Sequence, residues 1–274
     1  MTTRQFPARL HILVAKNQDV GIVIRRGPSK EVCILGWERK TNTFTVGQWL
    51  KGRIYERRSD ISHSGKYWIY FAMNGKWNSE AKGAWTAIAR VPWLKAIALL
   101  PKGDCWNGGG LFLDGKHYWL NGCHDLLFTS KEIVQHKSYQ PKNQYGGECL
   151  NVYYNRLQRD GWNLILREGA KWHSRTIFGK KLLHGWEIIK ICHEQLNSPI
   201  GKGCYWDEHE LRNQNGEILT QPGWEWADWV DNAIVFAENG CLYSIDIETD
   251  KHLSNHLLIH DFNGYEFENR QAPY

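Results

Sequence analysis

The chain has 274 residues, of which 42% are hydrophobic, so it carries enough apolar side chains for a large core and is not a disordered chain. The formal net charge of +5 is small for this length and gives little support for nucleic-acid binding. No apolar run approaches the roughly 18 residues of a membrane span. Residues 1–9 lack the apolar segment of a secretory signal. We therefore expect a cytoplasmic protein that does not engage a membrane.

The cysteine pattern argues against a domain stabilised by disulfides and against one stabilised by a thiolate zinc site. The chain has seven cysteines, scattered from Cys33 to Cys241, and none of them forms a Cys-x-x-Cys pair. An odd, scattered set fits neither a disulfide framework nor a thiolate zinc site. We expect free thiols and no cofactor.

Four strands are predicted near the start of the chain. They cover residues 10–15, 20–25, 31–38 and 43–49, which are short runs rich in β-branched and aromatic residues. Asn17-Gln18-Asp19 has the composition of a turn. Four strands with such short connections are typical of an antiparallel meander.

The next stretches repeat this organisation. After a strand that ends at Asp60-Ile61, the predicted strands cover residues 67–73, 85–90, 94–100, 111–113 and 117–120. An insertion at 74–82 contains Gly and Trp. The polar stretch 129–148 is expected to form a loop or weak edge strands.

Strands are also predicted through the following region, where no amphipathic helix longer than two turns is evident. They cover residues 150–154, 162–166, 176–178, 185–191 and 205–212.

The stretch from Trp224 to Ile247 gives the clearest prediction, three short strands joined by two tight turns. Asp231-Asn232 and Asn239-Gly240 supply the turns, because these residue types tolerate positive φ and Asn-Gly suits a type I′ turn. A further strand is predicted at 256–260, and residues 263–274 read as a polar tail.

These strands fall into units that begin near residues 10, 57, 106 and 151, a period typical of four-stranded propeller blades. Two units share a pattern: Asp60-Ile61 precedes Ile69-Tyr70-Phe71-Ala72, and Asp228-Trp229 precedes Ile234-Val235-Phe236-Ala237. On these residues the chain resembles the β-propeller superfold of the WD40-like and TolB-like repeat proteins.

The resemblance implies an all-β propeller of four-stranded antiparallel blades, five in number, with six as the alternative. It would form a single domain over residues 1–274. The approximate units are 9–55, 56–104, 105–149, 150–222 and 223–262, followed by the tail 263–274.

The densest group of ligand-type residues lies in the predicted strand 205–212. Strand geometry places Asp207 and His209 on one face and Glu208 and Glu210 on the other. Asp207 and His209 could then share a metal ion or a proton. The alternative is an edge strand whose charged face is solvated and blocks aggregation.

Asp60 and Asp228 hold matching places in their units and form an alternative catalytic pair. Paired carboxylates are the acid and base of glycosidases, some of which are propellers. The competing interpretation is structural, because an Asp beside a turn bonds its own backbone.

The fifteen tryptophans are the unusual feature of the composition. Indole rings fill gaps between packed sheets, and they also stack on sugars, bases or protein partners. We predict a non-enzymatic binding module that engages a protein partner through a Trp-rich rim. The candidate residues are Trp77, Trp85, Trp93, Trp106, Trp224 and Trp226. A carbohydrate-binding or glycosidase-like protein is the first alternative, and a weak nucleic-acid binder is the second.

Overall fold

The computed structural model describes residues 6–27, 30–122 and 125–274. Over these ranges the chain is all-β, with 22 strands in five sheets, one α-helix and two short 3-10 helices. It divides into two compact units. The first contains His11–Arg156 and Tyr265–Tyr274, and the second contains Pro7–Leu10 and Leu157–Gly264. No described helix has the length and apolar character needed to cross a membrane.

The first sheet is the predicted meander. Its strands are β1 (Arg9–Val14), β2 (Val20–Arg26), β3 (Glu31–Glu38) and β4 (Thr43–Lys51), hydrogen-bonded in chain order. The middle of β2 is buried on both faces, which explains its unbroken Ile-Val-Ile run.

The second sheet is larger than the predicted unit. Its strands are β5 (Arg53–Ile54), β6 (Asp60–Ile61), β7 (Tyr67–Met73), β8 (Ala84–Arg90), β9 (Ala96–Pro101) and β12 (Phe128–Thr129). A 3-10 helix, Glu56–Arg58, precedes β6. Strand β7 lies between two core clusters: Trp68, Tyr70 and Ala72 face one, and Tyr67 and Ile69 face the other.

The third sheet has only three strands, β10 (Gly110–Phe112), β11 (His117–Leu120) and β13 (Val134–Gln135). Strand β13 pairs with β11 in parallel, whereas β10 and β11 are antiparallel. It lies in the stretch where weak edge strands were expected.

The prediction that the chain has no amphipathic helix longer than two turns was wrong. Residues predicted as a strand at 150–154 begin the helix α1 (Leu150–Arg159). Leu150, Tyr153, Tyr154 and Leu157 are buried and recur at the i, i+3, i+4, i+7 spacing of one helix face. The short apolar run concealed this period, because helix and strand are hard to tell apart in four or five residues.

The second unit contains two sheets. One is the antiparallel series β14 (Asn163–Ala170), β15 (His173–Lys181), β16 (Glu187–Gln195), β17 (Tyr205–Arg212) and β18 (Ile218–Gln221), with a 3-10 helix at Leu183–Gly185. The other is β19 (Trp226–Val230), β20 (Ala233–Glu238), β21 (Cys241–Ile245) and β22 (Leu257–Asp261). The sheets of the chain therefore hold four, six, three, five and four strands, not four each.

The two tight turns of the last sheet have the predicted backbone. Asp231 and Asn232 have φ of 51° and 66°, and Asn239 and Gly240 have φ of 51° and 77°. Positive φ at both central residues is the type I′ requirement. Here local chemistry alone set the structure.

Candidate functional site

The candidate site is formed by two loops of the first unit that present tryptophan to solvent. Trp77 lies in the 74–83 loop between β7 and β8 and is 53% exposed. Trp106 lies in the 102–109 loop between β9 and β10 and is 60% exposed. Exposed indoles on loops anchored to a sheet are a common arrangement in binding surfaces.

The first loop is closed on itself by backbone bonds. Asn74 and Gly75 both donate N–H to the Gly83 carbonyl, at 3.0 and 3.1 Å. Gly83 has φ +74°, and a Cβ placed there would come within 2.5 Å of the Trp77 ring. Because the ring packs directly on this glycine, Trp77 is held in place although half of it meets solvent.

The second loop is fastened at both of its ends. The Asp104 carboxylate accepts the Trp106 N–H at 2.8 Å and lies 3.0 Å from Lys102 Nζ. Arg58, which is buried, donates to the Cys105 carbonyl at 2.7 Å and to the Asn107 carbonyl. A core guanidinium thus fixes the backbone on both sides of Trp106.

A pocket of about 370 Å³ opens between these loops and the segment that follows residue 124. It is lined by Glu80, Lys82, Pro101, Lys102, Asp125, Leu126 and Leu127. The two loops touch here, since a Cβ on Gly103 would lie 3.7 Å from Lys82 Cβ. The lining carries two lysines and two carboxylates, so charged groups of either sign on a ligand could be paired.

Four exposed large apolar side chains lie on the segments that line this pocket. Leu127 and Phe128 are 47% and 45% exposed and adjoin the two loops through the pocket lining. With Trp77 and Trp106 they are four large, exposed apolar side chains on the segments that supply the pocket lining. We call these four residues and the pocket lining the tryptophan-loop surface.

The other four predicted tryptophans do not present such a surface. Trp85, Trp224 and Trp226 are buried, so their expected exposure was wrong. Trp224, for example, stacks on Phe236 with ring centroids 4.2 Å apart. Trp93 is half-buried. Proximity to a strand end predicted exposure poorly, because an indole is buried wherever neighbouring rings pack on it, as Phe236 does on Trp224.

Asp60, one of the two aspartates proposed as a catalytic pair, has a structural role in the first unit. It is fully buried, and its Oδ2 accepts the Phe112 N–H at 2.7 Å, which ties β6 to β10.

Asp228 has different partners, all within the second unit. It forms an ion pair with Lys180 and accepts the indole N–H of Trp162 at 3.3 Å and the Trp229 N–H at 2.7 Å. The contacts of each aspartate are therefore those of a structural carboxylate.

The two aspartates also do not hold equivalent register positions. Asp60 pairs with Ile69, whereas Asp228 pairs with Val235. Asp60 therefore lies on the same face of its sheet as Phe71, while Asp228 lies on the face opposite to Phe236. The Phe-Ala match between the two units is offset by one residue, which moves a side chain to the other face of a strand.

The interpretation of residues 205–212 as a solvated edge strand was wrong. Strand β17 lies between β16 and β18, and Asp207 and His209 are only 7% and 1% exposed. His209 Nε2 lies 2.8 Å from the buried Lys190 Nζ, and its Nδ1 lies 3.2 Å from the Trp224 carbonyl. An ammonium donates only, so Nε2 accepts and Nδ1 carries the proton. His209 is thus committed to two protein partners.

A metal site is not formed by these residues or their neighbours. Within residues 6–27, 30–122 and 125–274, no group of three or more His, Cys, Asp or Glu side chains is placed to hold a metal ion. The alternative that Asp207 and His209 share a metal therefore has no third ligand among the described residues.

The exposure of Trp77 and Trp106 was predicted from the sequence, but the pocket lined by residues of their loops was not. Glu80 and Lys82 come from one loop, Lys102 from a second and Asp125 from a third segment, and they share no motif. The only available signal was the insertion 74–82, which breaks the strand pattern between β7 and β8. A pocket assembled from three loops has no periodicity to detect.

No protein-family model and no curated protein sequence matches this chain. Among solved structures it is similar to Kuenenia stuttgartiensis hydrazine synthase, at 11% identity and a TM-score of 0.33, over 90% of this chain and 79% of that one. It is also similar to the GH43 protein BlXynB from Bacillus licheniformis, at 10% identity and a TM-score of 0.31, over 98% of this chain and 60% of that one. Likeness at this level carries no functional information.

Proposed function

We propose that this chain is a non-enzymatic binding module that engages a protein partner through the tryptophan-loop surface. The observation that carries the proposal is that exposed Trp77, Trp106, Leu127 and Phe128 lie on the three segments that line one pocket. Large apolar groups cost free energy when they face water, so a contiguous set is a common mark of an interaction surface.

The fixed backbone of the two loops supports the same proposal. Less conformational entropy is lost on binding when the anchoring side chains are already held in place. Trp77 packs on Gly83, and the Trp106 loop is fastened by Arg58 and Asp104. Polar groups of both signs in the pocket would set the orientation of the partner.

The test uses a double substitution, Trp77→Ala with Trp106→Ala. Proteins retained from cell extract by the immobilised wild-type chain are identified, purified and titrated against each variant. Removing two hot-spot indoles is expected to weaken binding by well over tenfold. Leu257→Ala is the matched control, because it removes an exposed apolar side chain from the second unit and should leave affinity unchanged.

Equal affinity of the double variant for every retained protein would refute the proposal, and so would the absence of any retained protein. A glycan array run with the same variants tests the carbohydrate alternative. Wild-type binding to one glycan class that the double variant loses would assign the surface to a sugar instead.

For the architecture, we infer a single β-propeller domain that works in the cytoplasm. Support comes from the consecutive strands of the first and last sheets and from the predominance of antiparallel pairing. Five blades follow from the sequence period, with six as the alternative. A single domain should unfold in one calorimetric transition. Two separable transitions would mean that the units fold independently.

A further inference from the structure

The segment Tyr265–Tyr274, which we call the strap, belongs to the first unit although it follows the second along the chain. It contains no helix or strand, and most of its residues are exposed. Its contacts are nonetheless numerous and directional. The chain therefore holds an extended segment on its surface in the manner of a bound peptide.

Gln48 of β4 is the centre of this attachment. Its Nε2 donates to the Arg270 carbonyl at 3.0 Å, while its Oε1 accepts the N–H groups of Leu94 and Lys95 at 2.8 and 3.0 Å. Arg270 in turn donates to the Val46 carbonyl at 3.2 Å. One amide thus joins the strap backbone to the turn between β8 and β9.

Aromatic groups secure the strap on either side of Gln48. The Tyr274 hydroxyl accepts the Arg90 N–H at 3.1 Å and donates to the Lys95 carbonyl at 2.7 Å. The Arg90 guanidinium lies 4.6 Å from the centre of the Tyr274 ring.

Phe267 lies at the other side, tilted against Trp49 at 5.9 Å between ring centroids, with Lys51 Nζ 4.3 Å from its ring. The receiving groove therefore offers main-chain groups, one amide, two cations and an indole, which are the usual elements of peptide recognition.

We propose that this groove is a peptide-binding site that the strap occupies in cis. It takes in trans an extended peptide with the strap's own spacing, an aromatic residue, then Arg three positions later, then Tyr four positions after that. This surface shares no named residue with the tryptophan-loop surface and does not depend on the function proposed for it. Most strap residues are exposed, although Tyr274 packs against a buried cluster, so opening the strap costs less free energy than opening the sheets beneath it.

The strap and a free peptide compete for the groove, so the affinity measured for the peptide depends on how tightly the strap is held. A tethered segment has an effective concentration in the millimolar range. A free peptide of the same sequence therefore binds the wild-type chain weakly. Weakening the strap without altering the groove should expose the site to the free peptide.

The experiment titrates a fluorescein-labelled synthetic peptide of residues 262–274 against full-length variants. The strap variant, Arg270→Ala with Tyr274→Phe, leaves the groove intact, and its affinity for the peptide should be at least tenfold tighter than that of the wild type. Adding Gln48→Ala should then reduce the affinity at least tenfold. Lys251→Ala, an exposed change in the second unit, is the control variant, and a scrambled peptide is the control ligand.

Absence of peptide binding by the strap variant overturns the proposal, as does binding that Gln48→Ala leaves unchanged. If the strap variant is poorly folded, the wild-type chain still decides. A photoreactive peptide carrying benzoylphenylalanine at the position of Phe267 should label the chain beside Trp49 or Lys51. Labelling elsewhere, or none at millimolar peptide, would also overturn it.

Discussion

At the scale of single residues, the carboxylate of Glu132 links several charged groups of the first unit. It accepts the Tyr67 hydroxyl at 2.7 Å and lies 2.5 Å from Arg90 and 3.3 Å from Lys66. Hydrogen bonds from Tyr67 and Arg90 lower the pKa of Glu132 from its ordinary value of 4.5 to about 2. The folded state therefore favours the ionised form.

This lowered pKa fixes the sign of a pH effect. Because the folded pKa is below the unfolded one, Glu132 stabilises the fold fully above pH 4.5 and loses that effect as the pH falls towards 2. Glu132→Gln is expected to melt below wild type at pH 7, with a gap that narrows in acid. Melting curves from pH 7 to pH 2 measure this difference in Tm. A difference that stays constant would show that the ionised carboxylate of Glu132 does not stabilise the fold.

Asp60 gives a second prediction at this scale. Asp60→Asn should destabilise the protein by roughly 1–2 kcal/mol, because it weakens a charge-assisted bond from Phe112 in a fully buried position. For a chain of this size that is a drop of a few degrees in Tm. Thermal melting beside wild type checks it. An unchanged or raised Tm would indicate a strained functional carboxylate.

At the scale of elements, α1 shows that a short apolar run can be predicted as a strand when it forms part of a helix. Leu157 is the last buried residue on its apolar face, and a strand ending at residue 154 would not include it. Leu157→Ala should cost roughly 2–4 kcal/mol in urea unfolding, as for other buried leucines.

The matched control for this substitution is Leu164→Ala in β14. It removes the same atoms from an exposed position and should stay within about 0.5 kcal/mol of wild type. Equal costs for the two variants would contradict the burial of the helix face.

Strand β17 shows that a residue pattern does not reveal which strands lie beside it in a sheet. Its alternation of Asp207 and His209 with Glu208 and Glu210 is visible in the sequence, and the structure places the two pairs on opposite faces. Whether β17 is an edge or an interior strand depended on β16 and β18, which pair with it on either side. Position within a sheet is a long-range property, so the pattern alone could not distinguish an edge from an interior strand.

At the scale of the whole molecule, the prediction concerns the thiols. The six cysteines in the described ranges are free, and Cys123 lies outside those ranges. Titration with a thiol reagent under denaturing, non-reducing conditions should find all seven free. Five or fewer would contradict a reduced protein.

The sequence by itself determined the local structures. Turn chemistry at Asp231-Asn232 and Asn239-Gly240, and the β-branched runs of β2 and β20, act over a few residues, so neighbouring side chains suffice to specify them. Trp77 was identified because an insertion breaks the strand pattern around it, and Trp106 because it lies near a strand end.

Only the tertiary structure decided which polar and aromatic groups meet. Asp60 and Asp228 matched in sequence, yet a one-residue offset in pairing places them differently in their sheets. The pocket beside Trp77 and the seating of the strap on Gln48 join segments far apart along the chain. Such contacts depend on packing between segments that are distant along the chain, and local residue preferences do not predict that packing.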